Sequence, residues 1–324
     1  MNTGSHYKLK EFIPWTRSKI YIMLVISIIP VILYKFFDWE WLAIPWAPVA
    51  IVGTAAAFIA GFRNTQTYNR MWEARQIWGG IINSSRSFGV LVKDGIGSKG
   101  MIYRHLAWLT ALRFQLRESK SWENVKTKAY NLEYLKLYTV PEWEGNMWDE
   151  LQQYLSHEEM EVLRHVHNKP SQILALQSAH LKELRDHGHL SEYAFLHLQE
   201  RLKDLFELQG KCERIKNFPY PRQFASINLY FTYLLCALLP LGFLGELRKL
   251  GEDSIWLVVP LSLVVGWIFL VLEQIGESTE NPFEGGANDI PMAQISRNIE
   301  IDLREMLGEV DIPPVIVPQN NIVL

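Results

Sequence analysis

Two closely spaced pairs of histidines have the composition of a metal site, His165-x-His167 and His187-x-His189. Imidazole is a common ligand for zinc, but such sites need at least three protein ligands. On a helix, residues two apart point in different directions, so the first pair is a poor chelate. The second pair lies in a predicted turn without a fixed third ligand. Surface histidines are the simpler interpretation, and we predict no metal and no cofactor.

The sequence has no arrangement typical of catalysis. It contains no glycine-rich phosphate loop, nucleophile elbow or triad spacing. Two cysteines, Cys212 and Cys236, are too few for a disulfide framework or a cysteine metal site. We interpret Glu73 and Arg75 as ion-pair partners between helices. No enzyme is predicted.

Two further acidic residues, Glu273 and Glu277, stand one helical turn apart. They could face basic neighbours such as Arg17, or they could simply be solvated. The overall charge is −3, from 32 basic and 35 acidic residues. This balance argues against binding of nucleic acid, which usually needs a basic excess.

Four apolar segments are long enough to cross a bilayer as helices, for which about 20 residues suffice. The segments are Ile20 to Phe37, Ala43 to Phe62, about Phe224 to Leu244 and about Ile255 to Leu272. One such segment alone could be a buried core helix, but four with tryptophans at their ends favour a membrane. The segments also carry prolines, namely Pro30, Pro45, Pro48, Pro240 and Pro260. A proline costs about 3 kcal/mol inside a soluble helix, whereas neighbouring membrane helices can satisfy the freed carbonyls.

The second apolar segment continues into a polar helix without a break, because Arg63 follows Phe62 directly. Apolar residues at three- and four-residue steps predict one buried stripe from Tyr68 to Phe88. The predicted break comes at Gly95 to Gly100. This helix therefore links a membrane part to a body outside the membrane.

Basic residues flank the first three spans and predict that both termini and the long middle segment are cytosolic. We predict a multi-pass protein of the cell inner (plasma) membrane. The predicted division is residues 1–19, a cytosolic N-terminal segment; 20–62, transmembrane helices 1 and 2; 63–222, a cytosolic helical region; 223–272, transmembrane helices 3 and 4; and 273–324, a cytosolic C-terminal tail.

Helical periodicity and the lack of alternating strand patterns predict an all-α fold. The predicted helices outside the membrane are Met101 to Glu118, Trp148 to Arg164, Ser171 to Arg185, Glu192 to Ile215 and Ile290 to Leu307. Ser171 is the expected N-cap of its helix. Three prolines predict that the last segment, VDIPPVIVPQNNIVL, is extended against the body or a neighbouring chain.

Several segments resemble the bestrophin family in its bacterial branch. They are WTRSK (residues 15–19), GFRNTQTYNRMWEARQIWGG (61–80), CERIKNFPYP (212–221), LLPLG (238–242) and GESTENPFEGGANDIP (276–291). They follow the family's order and reach from residue 15 to about 305. The resemblance implies four transmembrane helices per subunit and a homopentameric ion channel with its pore on the five-fold axis. The second membrane helix then lines a narrow apolar neck, which the resemblance assigns to Thr54, Phe58 and Phe62.

The three neck positions lie on one face of a helix, because residues four apart stack. A ring of phenylalanines forms a hydrophobic constriction, and edges pointed at the axis favour anions. Phe58 is aromatic as in chloride-conducting animal members, whereas bacterial relatives tend to carry an aliphatic residue there and can favour cations. Thr54 also departs from the family's bulkier aliphatic residue. Packing or contact with lipid is the alternative interpretation of these side chains.

The resemblance implies a second constriction at the cytosolic mouth, at the start of the helix after Gly188. Tyr193 is the expected residue, with Leu190 and Ala194 as alternatives. Animal members bind calcium in an acidic loop after the fourth span, and the matching stretch here keeps only Glu284 and Asp289. Calcium needs six to eight oxygen ligands, so a solvated turn without regulatory calcium is predicted.

Together these observations predict a pentameric channel for small monovalent ions, with chloride favoured over sodium. The expected partners are monovalent ions, the lipid bilayer and further copies in a homopentamer, with no nucleic acid. A membrane-anchored scaffold or accessory protein without a pore and a metal-dependent membrane enzyme are the alternatives.

Overall fold

The computed structural model describes residues 1–324 and contains 12 α-helices. They are α1 (Leu9–Phe37), α2 (Trp46–Gly95), α3 (Lys99–Arg117), α4 (Ala129–Tyr134), α5 (Pro141–Glu144), α6 (Met147–Leu151), α7 (His157–Arg164), α8 (Lys169–Asp186), α9 (Glu192–Asn217), α10 (Arg222–Leu247), α11 (Val258–Thr279) and α12 (Met292–Met306). Short 3₁₀ turns cover Glu40–Leu42, Leu135–Leu137, Arg248–Leu250 and Glu252–Leu257. No strand forms, and the β-type pairings are two isolated bridges near the chain ends. The all-α prediction is confirmed.

Four helical stretches are long and apolar enough to cross a membrane, Leu9–Phe37, Trp46–Gly95, Arg222–Leu250 and Glu252–Thr279. They contain three of the predicted spans in full and the second from Trp46 onward, since Ala43 to Pro45 precede the helix. The first helix begins at Leu9 and not near Ile20, because the Glu11 carboxylate accepts the Lys8 backbone N–H at 3.3 Å and starts the helix early. Hydropathy alone misses these polar first turns.

The prolines of the spans do not all lie in helix interiors. Pro45 precedes α2, and Pro48 and Pro260 stand in the first turns of α2 and α11. The first-turn N–H groups of a helix have no partner within it, so a proline there loses no hydrogen bond. Pro30 of α1 and Pro240 of α10 are true interior prolines.

Helices α1, α10 and α11 and residues 46–62 of α2 form what we call the membrane region. Glycines set the closest helix approaches in it. A Cβ added at Gly266 of α11 would lie 2.2 Å from the Met23 side chain, and one at Gly245 would lie 2.1 Å from the backbone oxygen of Ile44. A larger side chain at Gly245 would therefore displace the backbone before α2, and one at Gly266 would displace the Met23 side chain of α1.

Residues 63–95 of α2, helices α3 to α9 and α12 form the body. Its main core holds 33 buried residues, including Trp78, Phe88 and Trp108. The Trp108 Nε1–H donates to Gln209 Oε1 at 2.9 Å. His105 is fully buried with its ring 5.2 Å from both Phe88 and Trp108, and burial lowers its pKa to about 3. His105 is therefore a neutral core residue.

Two helix predictions in the body need correction. Trp148 to Arg164 is not one helix, because the chain leaves α6 after Leu151 and Ser156 starts α7 with a capping box that includes Glu159. The N-cap of α8 is Asn168 and not Ser171, since the Asn168 side-chain oxygen accepts the Ser171 N–H at 3.0 Å. Both corrections reflect cap chemistry, which competes locally with helical periodicity.

The C-terminal segment is extended and packs on its own chain. Ile322 and Leu324 are buried against Tyr138 and Val140. The N-terminal segment joins them, because the Thr3 N–H donates to the Asn321 carbonyl at 2.8 Å. Both chain ends therefore lie on the same side of the molecule.

Candidate functional site

Helix α2 leaves one side of its membrane half uncovered. Phe58 is 77% exposed, Phe62 is 43% exposed, and Thr54 is also exposed. Because residues four apart stack on one face of a helix, the three side chains form one line. We call this line, with its continuation toward the end of α2, the exposed stripe.

Small residues decide which face of α2 packs. Ala56 and Ala60 are each 1% exposed, and Gly53 lies against α10. Ala57 and Gly61 do not pack in this way, because both are exposed and lie beside the aromatic rings of the stripe. The buried alanines bring α2 close to its neighbours and turn the bulky side chains outward.

Beyond Arg63 the exposed stripe changes from apolar to polar. Its exposed members there are Thr65, Asn69, Trp72, Gln76, Asn83 and Arg86. From Thr54 to Phe62 no side chain is ionisable. A species moving along this face would pass a dry aromatic surface on the membrane half and hydrogen-bonding groups on the body half.

The hydroxyl of Thr54 is the one polar side-chain group of the apolar half. Its Oγ1 donates to the Ala50 carbonyl at 2.9 Å, so its proton is used inside the helix. The oxygen lone pairs remain available to an external donor. Phe62 has a different environment, since its ring lies 5.8 Å from that of Phe224 of α10. Phe58 is the member of the line with the greatest exposure.

The first turn of α9 carries the residue predicted for the second constriction. Tyr193 is 75% exposed, and its ring contacts that of His197 with centroids 4.3 Å apart. The two alternatives are less exposed, since Leu190 lies in the core of the body and Ala194 is half-buried. Among the three, Tyr193 has the side chain that reaches solvent.

Helix α9 runs antiparallel to α2. Arg70 donates to the carbonyl of Phe218 at the end of α9, and Leu208 packs on Gly80, further along both helices. The start of α9 therefore lies at the end of the body that is farthest from the membrane region. Tyr193 and the line from Thr54 to Phe62 are thus at opposite ends of the long axis of α2.

A buried ion-pair network joins the membrane region to the body directly after Phe62. Arg63, Glu273 and Glu280 are at most 4% exposed. The Arg63 guanidinium lies 3.0 Å from Glu273 and 3.3 Å from Glu280, and Lys19 lies 3.8 Å from Glu273. We call these four residues the Arg63 network. It ties α1, α2 and α11 at one level.

A close approach of α11 to α2 makes the Arg63 network possible. A Cβ at Gly276 would lie 2.8 Å from the Asn64 Oδ1 and 3.4 Å from the Arg63 Nε. Only glycine leaves room for these side chains. Glu280 directly follows the last residue of α11 and lies seven residues, about two helical turns, after Glu273, so both carboxylates reach Arg63.

The expectation that Glu273 and Glu277 face basic neighbours is confirmed, and the alternative of solvation is wrong, but the neighbour of Glu277 is Lys128 and not Arg17. Glu277 lies 2.7 Å from the Lys128 ammonium and accepts a hydrogen bond of 2.8 Å from the Tyr130 hydroxyl. Arg17 pairs instead with Glu133 on α4. The reason is that α4 packs beside the start of α1, although it lies more than a hundred residues along the chain from both Arg17 and Glu277.

The segment from Glu280 to Ile290, which we call the connecting loop, joins α11 to α12. The prediction of a solvated turn here is wrong, since Glu284 and Asp289 are 3% and 1% exposed. The C-terminal segment and Trp143 cover the loop, and a Cβ at Gly285, whose φ is +98°, would lie 2.6 Å from the Trp143 ring.

Backbone amides hold the two carboxylates of the connecting loop. Glu284 Oε2 accepts the N–H groups of Asn124 at 2.7 Å and Val125 at 3.3 Å. Asp289 Oδ2 accepts those of Gly285 at 2.8 Å and Gly286 at 2.9 Å. Burial raises the pKa of Glu284 well above its usual range, and burial also raises the pKa of Asp289.

The donors around these carboxylates do not suit calcium. A calcium ion needs six to eight oxygen ligands with free lone pairs. Here N–H groups occupy Glu284 Oε2 and Asp289 Oδ2, and the Arg117 guanidinium lies 3.7 Å from the same Asp289 oxygen. The positive charge and the N–H donors compete directly with a divalent cation.

The histidine pairs lie on the surface. His165, His167, His187 and His189 are all exposed, and the Nδ1 of His187 lies 2.8 Å from the Glu183 carbonyl. No group of three or more His, Cys, Asp or Glu side chains is arranged to hold a metal ion.

Of the pair Glu73 and Arg75, only the first makes an ion pair, with Arg214 of α9, whereas Arg75 is exposed. Sequence reasoning missed the role of Arg63. The signal was present, because an arginine directly after an apolar span needs a buried partner and Glu273 and Glu280 share a face of the last span.

Comparison with known proteins gives a consistent result across most of the chain. The sequence pattern described as Bacterial/Fungal Bestrophin protein matches residues 11–305. The voltage-dependent anion channel-forming protein YneE of Salmonella typhi is 29% identical over 308 residues, which cover 94% of this chain and 90% of that protein. YneE of Escherichia coli strain K12 is 29% identical over 279 residues, 85% of this chain and 81% of that protein. The crystal structure of a bacterial bestrophin homolog from Klebsiella pneumoniae superposes with a TM-score of 0.76 at 24% identity, covering 91% of this chain and 99% of that one.

Proposed function

The chain belongs to the bacterial and fungal bestrophin family, and on that premise we propose that it forms an anion channel. It is a multi-pass membrane protein, and its relatives carry the name of anion channel-forming proteins. We propose that five copies surround an axial pore and that small monovalent ions pass along it, with anions such as chloride favoured over cations such as sodium. The family assignment points to a channel and not to an enzyme.

The exposed stripe is the observation that carries this proposal. An aromatic line without ionisable groups on a membrane helix contacts lipid, packs against another copy of the chain or faces a pore. Lipid contact gives no reason for the stripe to continue on the same face as polar residues of the body. A pore that enters the body accounts for both halves. We therefore assign the neck to Thr54, Phe58 and Phe62, and the distal aperture to Tyr193.

The selectivity proposal rests on the aromatic rings. The edge of a phenyl ring carries partial positive charge, so a ring of edges favours an anion over a cation. A dry constriction of this kind also raises the barrier to hydrated ions and can close by dewetting. The lack of ionisable side chains between Thr54 and Phe62 leaves the rings as the main electrostatic feature there.

The topology proposal follows from the distribution of charge. Both chain ends lie on one side of the molecule, as four spans require. Lys8, Lys10, Arg17 and Lys19 stand near the start of α1. Basic flanks of this kind remain in the cytosol, so we place both termini and the body on the cytosolic side of the plasma membrane.

Flux through liposomes tests the function. Purified protein should pass chloride faster than sodium down matched gradients, and Phe58→Ala should change the rate or the selectivity several-fold. Phe58 is 77% exposed, so its truncation removes little packing within one chain. The matched control is Tyr230→Ala, an aromatic residue 70% exposed on α10, which should conduct as the wild type does.

Two results would overturn these proposals. Absence of flux, with a detergent-solubilised mass other than five subunits, would favour a scaffold without a pore. Flux that Phe58→Ala leaves unchanged would keep the channel but remove the exposed stripe from the neck.

A further inference from the structure

An aromatic cavity of about 260 Å³ lies where the start of α1, α4 and the connecting loop meet. Five rings contribute to its wall, those of Tyr7, Phe12, Trp15, Tyr134 and Tyr138. Its volume is close to the lower end of the range for small-molecule sites. We call it the aromatic cavity, and it is separate from the exposed stripe.

The rings of the aromatic cavity are held in place by their neighbours. Tyr7 and Tyr134 meet edge to face with centroids 6.1 Å apart. The Asn288 amide donates to the Tyr7 hydroxyl at 2.9 Å, and the Tyr138 hydroxyl donates to the Gly285 carbonyl at 3.0 Å. Fixed rings lose little freedom when a ligand binds, which favours affinity.

The charge of the aromatic cavity has one sign. Glu11 and Glu284 line it, whereas no lysine, arginine or histidine is among its 14 lining residues. The Glu11 carboxylate is partly used, since it accepts the Lys8 N–H at 3.3 Å. Burial favours the neutral form of Glu284, and a bound cation would favour its ionised form, so the carboxyl groups, the aromatic walls and the lack of a basic group together favour a cation over an anion.

Glu284 is the residue that points to a ligand. It is 97% buried and reaches the cavity, and both of its backbone hydrogen bonds end on Oε2. Oε1 accepts no hydrogen bond from the protein. Oε1 keeps some accessible surface, so a ligand in the cavity can donate a hydrogen bond to it.

We propose that the aromatic cavity binds an organic ammonium ion, with its N–H groups donating to Glu284 and its apolar part against the rings. Aromatic residues around a cation give cation–π attraction, which grows when the site is desolvated. The ammonium could belong to a free amine or to the headgroup of an aminophospholipid, because the cavity lies beside the ends of two spans, α1 and α11. This site does not depend on the channel proposal.

Calorimetry on the purified full-length protein tests the proposal with 2-phenylethylamine and its neutral counterpart, 2-phenylethanol. The amine should bind at least about tenfold more tightly, because charge-assisted hydrogen bonds are roughly twice as strong as neutral ones. Glu284→Gln keeps an oxygen for the two backbone donors, and its affinity for the amine should also fall about tenfold. Tyr134→Leu removes one wall and should weaken the amine several-fold while leaving folding intact, because Tyr134 is only half-buried.

The matched control is Glu309→Gln, a carboxylate paired with Lys99 and Arg304 far from the cavity, and it should bind the amine as the wild type does. Equal binding of amine and alcohol, or unchanged binding in Glu284→Gln and Tyr134→Leu, would overturn the proposal. The proposal would also be overturned if calcium chloride bound to the protein, Glu284→Gln abolished this binding and Tyr134→Leu left it unchanged. That result would describe a metal site.

Nanodiscs separate the two sources of the ammonium. If phosphatidylethanolamine in the bilayer lowers the affinity for 2-phenylethylamine relative to phosphatidylglycerol alone, the lipid headgroup occupies the aromatic cavity. If both bilayers give the same affinity, the ligand is a free amine. Each result supports an ammonium site, provided that the binding still depends on Glu284.

Discussion

The body encloses one core of 33 buried residues, whereas the largest core cluster of the membrane region has five. The difference is not one of hydrophobicity, since the membrane helices are the more apolar. Only 17% of the most apolar 18-residue stretch of α1 is buried within the chain. The body is therefore held by its own interior, and the membrane region depends on what surrounds it, which is lipid and, in our proposal, further copies.

The Arg63 network is where the two regions meet, and its removal is expected to have the largest effect. Arg63→Ala leaves Glu273 and Glu280 buried without their main partner, which should cost about 3–5 kcal/mol. The unfolding temperature in detergent measures the loss. Arg17→Ala is the control, since its pair with Glu133 is about half exposed and should contribute about 0–1 kcal/mol. Equal losses in both variants would mean that the network does not join the regions.

Truncations of matched aliphatic residues sharpen the comparison of the two regions. Leu112→Ala in the core of the body should cost about 2–5 kcal/mol, because it leaves a cavity among fully buried side chains. Ile268→Ala on α11, where the side chain is 47% exposed, should cost within about 0.5 kcal/mol. Thermal unfolding of both variants tests this. A large loss at Ile268 would show that another copy covers α11 there.

The connecting loop also joins the regions, and its carboxylates give the smallest of the three effects. The folded pKa of Glu284 and Asp289 is raised by burial, so the folded state binds more protons than the unfolded one. Their contribution to the free energy of unfolding is therefore present when the pH is below 4.5, the ordinary pKa of glutamate. It is lost as the pH rises through the folded pKa.

Hydrogen exchange of residues 276–291, corrected for intrinsic rates, should accordingly show more protection as the pH falls from alkaline values toward 4.5. Glu284→Gln should flatten that slope, while a peptide from α3 should respond equally in both proteins. An identical slope in wild type and variant would assign the pH response to other groups.

The local parts of the fold could be predicted from the sequence. The four spans and the unbroken path from Phe62 into the body follow from hydropathy and helical periodicity, which neighbouring residues determine. That Thr54, Phe58 and Phe62 share one helix face follows from their spacing, whereas their selection as a neck comes from the resemblance to the bestrophin family. Their role as a neck stays a prediction, because the periodicity of one chain does not specify what faces it across an axis.

The remaining features depend on residues that are distant in sequence. The connecting loop has a polar, glycine-rich composition typical of a solvated turn, yet Asn124, Trp143 and the C-terminal segment cover it. The partners of Glu277 come from the neighbourhood of α4 for the same reason. The start of α1 and the cap of α8 were missed because single side-chain hydrogen bonds decide them.

Helix α2 has 50 residues and no proline after its first turn, which gives a rod about 75 Å long at the usual helical rise. Between Phe62 and the Gly79–Gly80 pair, no proline or glycine interrupts this helix. A rotation of this part of α2 about the helix axis would therefore turn the Phe62 side chain with it. Helix α2 thus runs without a break from the membrane region into the body, and the Arg63 network fixes it to α1 and α11 partway along its length.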